Sequence, residues 1–186
     1  MRDTAELHRI ACNEVSRRVD QIADGDWAKP TPCTEWDVRA LMAHIVSGTC
    51  WVAPLVEGLT IPEVGDRFEG DLLGDDPKGA WHKAAATAIA ACDGGLTGIV
   101  HISAGDVPAT EYVGERILDL AMHAWDLARA IGADERLDPE LVAAAQQVLS
   151  EKADLWRQFG ALGPATEVGP DADAQTILLA ESGRNP

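Results

Sequence analysis

Leu7, Ile10, Ala11, Val15, Val19 and Ile22 recur three or four positions apart, a spacing that gathers side chains onto one stripe only if the backbone is an α-helix. The same period returns at Val38, Leu41, Met42, Ile45 and Val52, and again at Ile117, Leu120, Ala121, Ala124, Ala128 and Ile131. Aromatic residues make up only 5% of the chain, whereas alanine, which costs least in a helix, is abundant. The chain is therefore predicted to be all-α, built from helices that bury one face each.

Start and stop signals divide it. A first helix is expected over 3–23, with Asp3 and Glu6 spaced as a capping box and Gly25 beyond its end. Lys29-Pro30-Thr31-Pro32-Cys33 is rigid and extended, and Thr34, with Asp37 three residues on, is the expected cap of a second helix reaching about Val56. Residues 58–75, rich in Gly, Pro and Asp, read as an irregular connection with room for one turn of helix. Asp76-Pro77 and Asp138-Pro139 each join a cap to a first-turn proline, opening helices that run to about Cys92, before Gly94-Gly95, and to about Phe159, before Gly160. Between them a helix starts somewhere from Pro108 to Tyr112 and ends at Ile131, with Gly132 as a left-handed cap. Residues 98–103 read as a short strand or an extended crossover, 163–169 as extended, and 171–181 as a last short helix packing Ile177 and Leu178. With 186 residues, 46% of them hydrophobic, the expectation is one domain over 1–186.

A formal charge of −16, from 31 acidic and 15 basic residues, repels phosphate backbones and anionic lipid, so neither nucleic acid nor a membrane is an expected partner. No run approaches the roughly 18 consecutive apolar residues of a spanning helix, and the polar opening Arg2-Asp3-Thr4-Ala5-Glu6 does not resemble a signal peptide. Cys12, Cys33, Cys50 and Cys92 are scattered without a C-x-x-C pair, as suits reduced thiols, and the expected location is the cytoplasm. Homodimerisation is compatible with such a bundle, though no stretch of sequence locates an interface. The six tryptophans are expected mainly to fill the core or a groove.

Asp119 and His123 stand four residues apart, one turn along the same helix face, where both can reach a common point. His44, midway along the second helix, is the best-placed third ligand. Two imidazoles and a carboxylate leave a coordination position open, as in catalytic zinc sites and non-haem iron triads. On a helical wheel all three flank the apolar stripe, which suits equally a groove-lining ligand and a solvated or hydrogen-bonded pair. His82, His101 and, still more, His8 read as structural or exposed. Asp126 either orients a ligand or pairs with Arg129; Trp36 and Trp125 either wall a cleft or pack the core; Cys33, before a helix, is either a lowered-pKa thiol or an inert one.

The segment Thr31-Pro32-Cys33-Thr34-Glu35-Trp36-Asp37-Val38-Arg39-Ala40-Leu41-Met42-Ala43-His44 resembles the T-P-C-x-x-W-x-V-x-x-L-x-x-H signature of the mycothiol-dependent maleylpyruvate isomerase N-terminal domain family, within the DinB-like superfamily. Asp119 to Ala128 is similar to that family's D-x-x-x-H-x-W-D-L-A segment, and Leu178 to Pro186 to the closing L-L-x-x-x-G-R-x-P of its short actinobacterial members. The resemblance implies a DinB-like antiparallel four-helix bundle with a short C-terminal extension, holding a divalent metal through His44, Asp119 and His123. The chain departs from the isomerase proper in two ways: Asp119 stands where that enzyme has Glu, and the additional C-terminal domain is missing from this sequence.

Three functions follow as expectations. The first is a metal-dependent thiol S-transferase or thiol-dependent isomerase, in which mycothiol attacks a small electrophile as the thiolate. The second is metal-dependent hydrolysis, and the third a non-catalytic bundle binding a metal or ligand. By donor type zinc ranks first, with nickel and iron behind it.

Overall fold

The computed structural model describes residues 2–160 and 162–186. In chain order its helices are α1 (Thr4–Val19), α2 (Val38–Cys50), α3 (Val52–Val56), α4 (Ile61–Val64), α5 (Pro77–Asp93), α6 (Ala109–Ile131), α7 (Pro139–Gln158) and α8 (Ala174–Glu181). One antiparallel hairpin, β1 (Ile99–Ile102) and β2 (Gly105–Pro108), joins α5 to α6. The fold is all-α apart from that hairpin, as the alanine-rich periodicity predicts.

Four helices close a ring: α1 and α2 sit diagonally opposite each other, and each packs on both α5 and α6. Side-chain contacts fix their directions. Arg9 near the start of α1 pairs with Asp93 at the end of α5, while Lys78 at the start of α5 donates to the Asp20 carbonyl just past α1, so these two helices are antiparallel. His44 lies beside Asp119 and the later Gly48 beside the earlier Arg116, so α2 and α6 are antiparallel too. Arg18, near the end of α1, donates to the Asp134 and Arg136 carbonyls just past α6, so α1 runs parallel to α6 and, by closure, α2 parallel to α5. A parallel pair needs a connection that returns the full bundle length. That is the work of residues 51–76, which include α3 and α4. α7 lies outside on α6 and α1, and α8 on α7.

Trp81 and Trp125 are wholly buried with Leu41, Met42, Ile45, Leu118 and Leu120, while Trp27, Trp36, Trp51 and Trp156 pack partly buried against that core. The stretch Val38–Val56 has the length and hydropathy of a membrane span, yet half of it is buried inside the bundle, where its apolar residues form core.

Local chemistry moves several expected boundaries. Thr34 caps nothing: the Thr31 N–H and hydroxyl both donate to the Trp36 carbonyl, at 3.2 and 2.9 Å, folding 31–36 into a tight loop. Asp37 is the cap instead, accepting the Ala40 N–H at 2.8 Å. The second helix breaks at Trp51 because Pro54 has no N–H for the Cys50 carbonyl and its ring crowds that oxygen. The first helix stops at Val19, followed by a turn and a short 3₁₀ helix over Asp24–Asp26. Within 98–103 the strand is Ile99–Ile102, and its partner β2 carries too little apolar pattern to be read from sequence.

Candidate metal centre

The buried Val38, Leu41, Met42 and Ile45 seat α2 in the ring and leave His44 on its flank, with 37% of the side chain exposed. α6 faces it with Asp119 and His123 on successive turns, 20% and 8% exposed. Asp119 Oδ1 lies 3.4 Å from His44 Nε2 and 3.5 Å from His123 Nε2, and the imidazoles stand edge to face with centroids 4.9 Å apart. All three donor atoms lie within 4.8 Å of one another. Charge-assisted N–H···O bonds close to about 2.7–2.9 Å, so these separations are long for a proton bridge. They match a cation: two tetrahedral ligands about 2.1 Å from one ion stand roughly 3.4 Å apart. The donor set thus fits a divalent ion.

Neighbouring groups orient each donor. Arg116 donates to Asp119 Oδ2 at 2.7 Å, leaving Oδ1 toward the imidazoles. It reaches that position because α2 carries glycine at 48, where a Cβ would sit 2.9 Å from Arg116 Cζ. Burial disfavours the Asp119 carboxylate, but Arg116, then His123 and His44, outweigh it and hold its pKa well below the usual range. Burial likewise disfavours a charged His123, yet Asp119, Asp126 and Cys33 raise its pKa well above the ordinary imidazole value. The negative field that retains a proton there would also favour a cation.

His123 Nδ1 donates to Asp126 Oδ2 at 2.9 Å, which leaves Nε2 pointing at Asp119. Asp126 is completely buried and takes both Arg184 Nε, at 3.1 Å, and Arg184 Nη2, at 2.7 Å. Asp126 does not pair with Arg129, which bonds Glu135 and stacks 4.3 Å over the Trp125 ring; the side-chain partners of Asp126 are His123, Cys33 and Arg184. Cys33 Sγ donates to Asp126 Oδ2 at 3.4 Å, and Cys33, His123 and Asp126 also cluster closely enough to be considered as ligands. An ion there would confront the Arg184 guanidinium, so the His44 cluster is the better site. The Trp36 ring lies 4.8 Å from that of His44 and 6.1 Å from that of His123, walling one side. Trp125 belongs to the core.

The other histidines are elsewhere. His82 and His101 are exposed and face Asp20 and Asp106, and His8 is buried in α1 beside Cys12. Burial pushes the Cys12 and Cys92 thiols up to about 12, so neither is a nucleophile near neutral pH. A cavity of about 900 Å³ between α1, α6 and α7 shares no residue with the triad, and the Lys152 ammonium on its rim is engaged by Glu111 and Glu115. Arg116 and the partner of Arg184 escape sequence reading: the first resembles any i,i+3 surface pair, and Arg184, though it is the Arg of the closing motif, lies 58 residues from Asp126.

The mycothiol maleylpyruvate isomerase N-terminal domain model matches residues 8–128. Uncharacterized proteins from two strains of Mycobacterium tuberculosis, CDC 1551 and H37Rv, are each 32% identical over 181 residues, covering 90% of this chain and 88% of theirs. No solved structure matches the chain significantly.

Proposed function

This chain belongs to the mycothiol maleylpyruvate isomerase N-terminal domain family, and on that footing we propose that it is a metal-dependent enzyme joining a low-molecular-weight thiol, mycothiol, to a small electrophile by S-transfer or thiol-dependent isomerisation. The observation that carries this reading is Asp119 Oδ1 standing 3.4 and 3.5 Å from two imidazole Nε2 atoms. A divalent ion held by His44, Asp119 and His123 would supply Lewis acidity, lowering the pKa of a thiol that enters its open position. Zinc suits this donor set first, with nickel and iron behind it.

The protein's own residues hold and shield. Arg116 fixes which Asp119 oxygen faces the imidazoles, Asp126 fixes the His123 ring, and Trp36 keeps water off one side. The half-exposed edge of His44 is the side from which small molecules approach. The attacking sulfur comes from outside, since burial holds Cys12 and Cys92 protonated and raises the Cys50 thiol, and Cys33 is hydrogen-bonded to Asp126. The incoming thiol gives its proton to solvent and its sulfur bonds to an electrophilic carbon of the second substrate. In S-transfer a leaving group departs with the displaced electron pair; in isomerisation that pair moves onto a conjugated carbonyl and returns to expel the thiolate.

Zinc-loaded protein incubated with mycothiol and a panel of electrophiles, maleylpyruvate among them, tests the reading. Thiol-dependent turnover that disappears in His44→Ala is expected. Turnover without any thiol would favour hydrolysis, and no turnover across the panel would favour a non-catalytic binding bundle; either overturns the proposal.

A further inference from the structure

Residues 129–186 lie beyond the stretch matched by the family model, yet one of them reaches the candidate centre. α8 ends in a reversal at Gly183, with φ +88°, where the Gly183 N–H donates to the Ala180 carbonyl and the Arg184 N–H to the Leu179 carbonyl. A Cβ at 183 would lie 3.0–3.2 Å from the backbone of Gly163, so two glycines let the chain cross itself here. The Thr166 hydroxyl donates to the Arg184 carbonyl at 2.6 Å, and Arg129 Nη1 to the Asn185 carbonyl at 2.9 Å. These contacts deliver an Arg184 side chain that is 12% exposed, and its guanidinium grips both oxygens of the buried Asp126. Nη1 is held separately by the Ser182 carbonyl and hydroxyl, both at 3.3 Å, and by Met122 Sδ at 3.4 Å.

We propose that Arg184 is a positioning residue for the metal centre: through Asp126 it fixes the His123 ring, so that seating of the C-terminal segment sets the affinity of the site for its cation. The inference rests on the reading of His44, Asp119 and His123 as ligands. Its physical basis is geometric. Asp126 can hold Nδ1 of His123 in place only if the carboxylate itself cannot rotate, and a two-point grip on both oxygens removes that freedom. A lysine would supply the charge without the fork.

Cobalt(II) titration of full-length, chelator-treated protein, read by visible absorption, tests this in wild type, His44→Ala, Arg184→Gln and Arg184→Lys. Binding through His44 is expected in wild type, with affinity roughly 10–100-fold weaker and an altered absorption band in Arg184→Gln. Arg184→Lys, which keeps the charge, is expected to fall between and serves if the glutamine variant does not fold. A folded variant that binds cobalt within twofold of wild type and with the same band overturns the positioning role while leaving the ligand set intact. Wild type that binds no cobalt, or His44→Ala that binds it equally, overturns the ligand set and this proposal with it.

Discussion

Asp126 has no solvent-exposed surface, and its two oxygens accept from Arg184 at two points, from His123 and from Cys33. An amide there would turn an NH₂ group against these donors, so Asp126→Asn is expected to weaken zinc binding about 10–100-fold while the folded state persists, as competition with a coloured chelator would register. His8 makes a separate prediction. It is fully buried in α1, Nδ1 has no hydrogen-bond partner among the described residues, and burial, followed by the nearby Arg116 charge, lowers its pKa to about 4 from 6.5. Between those values the unfolded chain binds the proton and the folded chain does not. Stability is therefore intact above pH 6.5 and lost as pH falls toward 4, by about 3 kcal/mol over the window. Urea midpoints for wild type should drop more steeply with acid than those of His8→Leu, and parallel profiles would refute the assignment. Sequence reading gave His8 little weight because its neighbours in α5 and α6 cannot be known from α1.

At the scale of elements, the contact between α2 and α6 depends on a missing side chain. Gly48→Ala would push the Arg116 guanidinium away from Asp119, and the expected result is weaker cation binding without loss of helix content, measured by zinc titration alongside circular dichroism. Arg18 ties α1 to the connection after α6: it is wholly buried, bonds the Glu14 side chain and donates to three carbonyls. Removing one side of such a buried pair costs about 3–5 kcal/mol, so Arg18→Ala should show that loss in denaturant unfolding. The helices themselves were largely legible. Asp76-Pro77 and Asp138-Pro139 mark real starts, with Asp76 accepting the Gly79 N–H and Asp138 those of Glu140 and Leu141, and Gly132 adopts φ 74° at the end of α6. Thr34 misled because a threonine with an acid three residues on looks the same whether it caps a helix or sits in a loop closed by Thr31. Pro54 was legible in principle, but the strong apolar period through 52–56 masked it.

For the whole molecule, the long connection over 51–76 is a consequence of topology, since α2 and α5 run parallel and the chain must climb back before α5 can start. Sequence marked this stretch as irregular but could not supply the reason, because relative helix direction follows from contacts such as Arg9 with Asp93 and Arg18 with Asp134. The same limit governs the site. His44, Asp119 and His123 are each visible as flank positions, the motif resemblance joins them, and Asp126 is legible as a group that could orient a ligand, but the contact of Asp126 with Arg184 emerges only when α6 and the C-terminal segment are brought together. The proposed chemistry depends on those three donors sharing one ion. Calorimetric titration of zinc into chelator-treated wild type, His44→Ala and His123→Ala near neutral pH is the most direct measurement of it. One equivalent bound tightly by wild type and lost in both variants is the predicted result; no binding by wild type, or undiminished binding without His44, would contradict it.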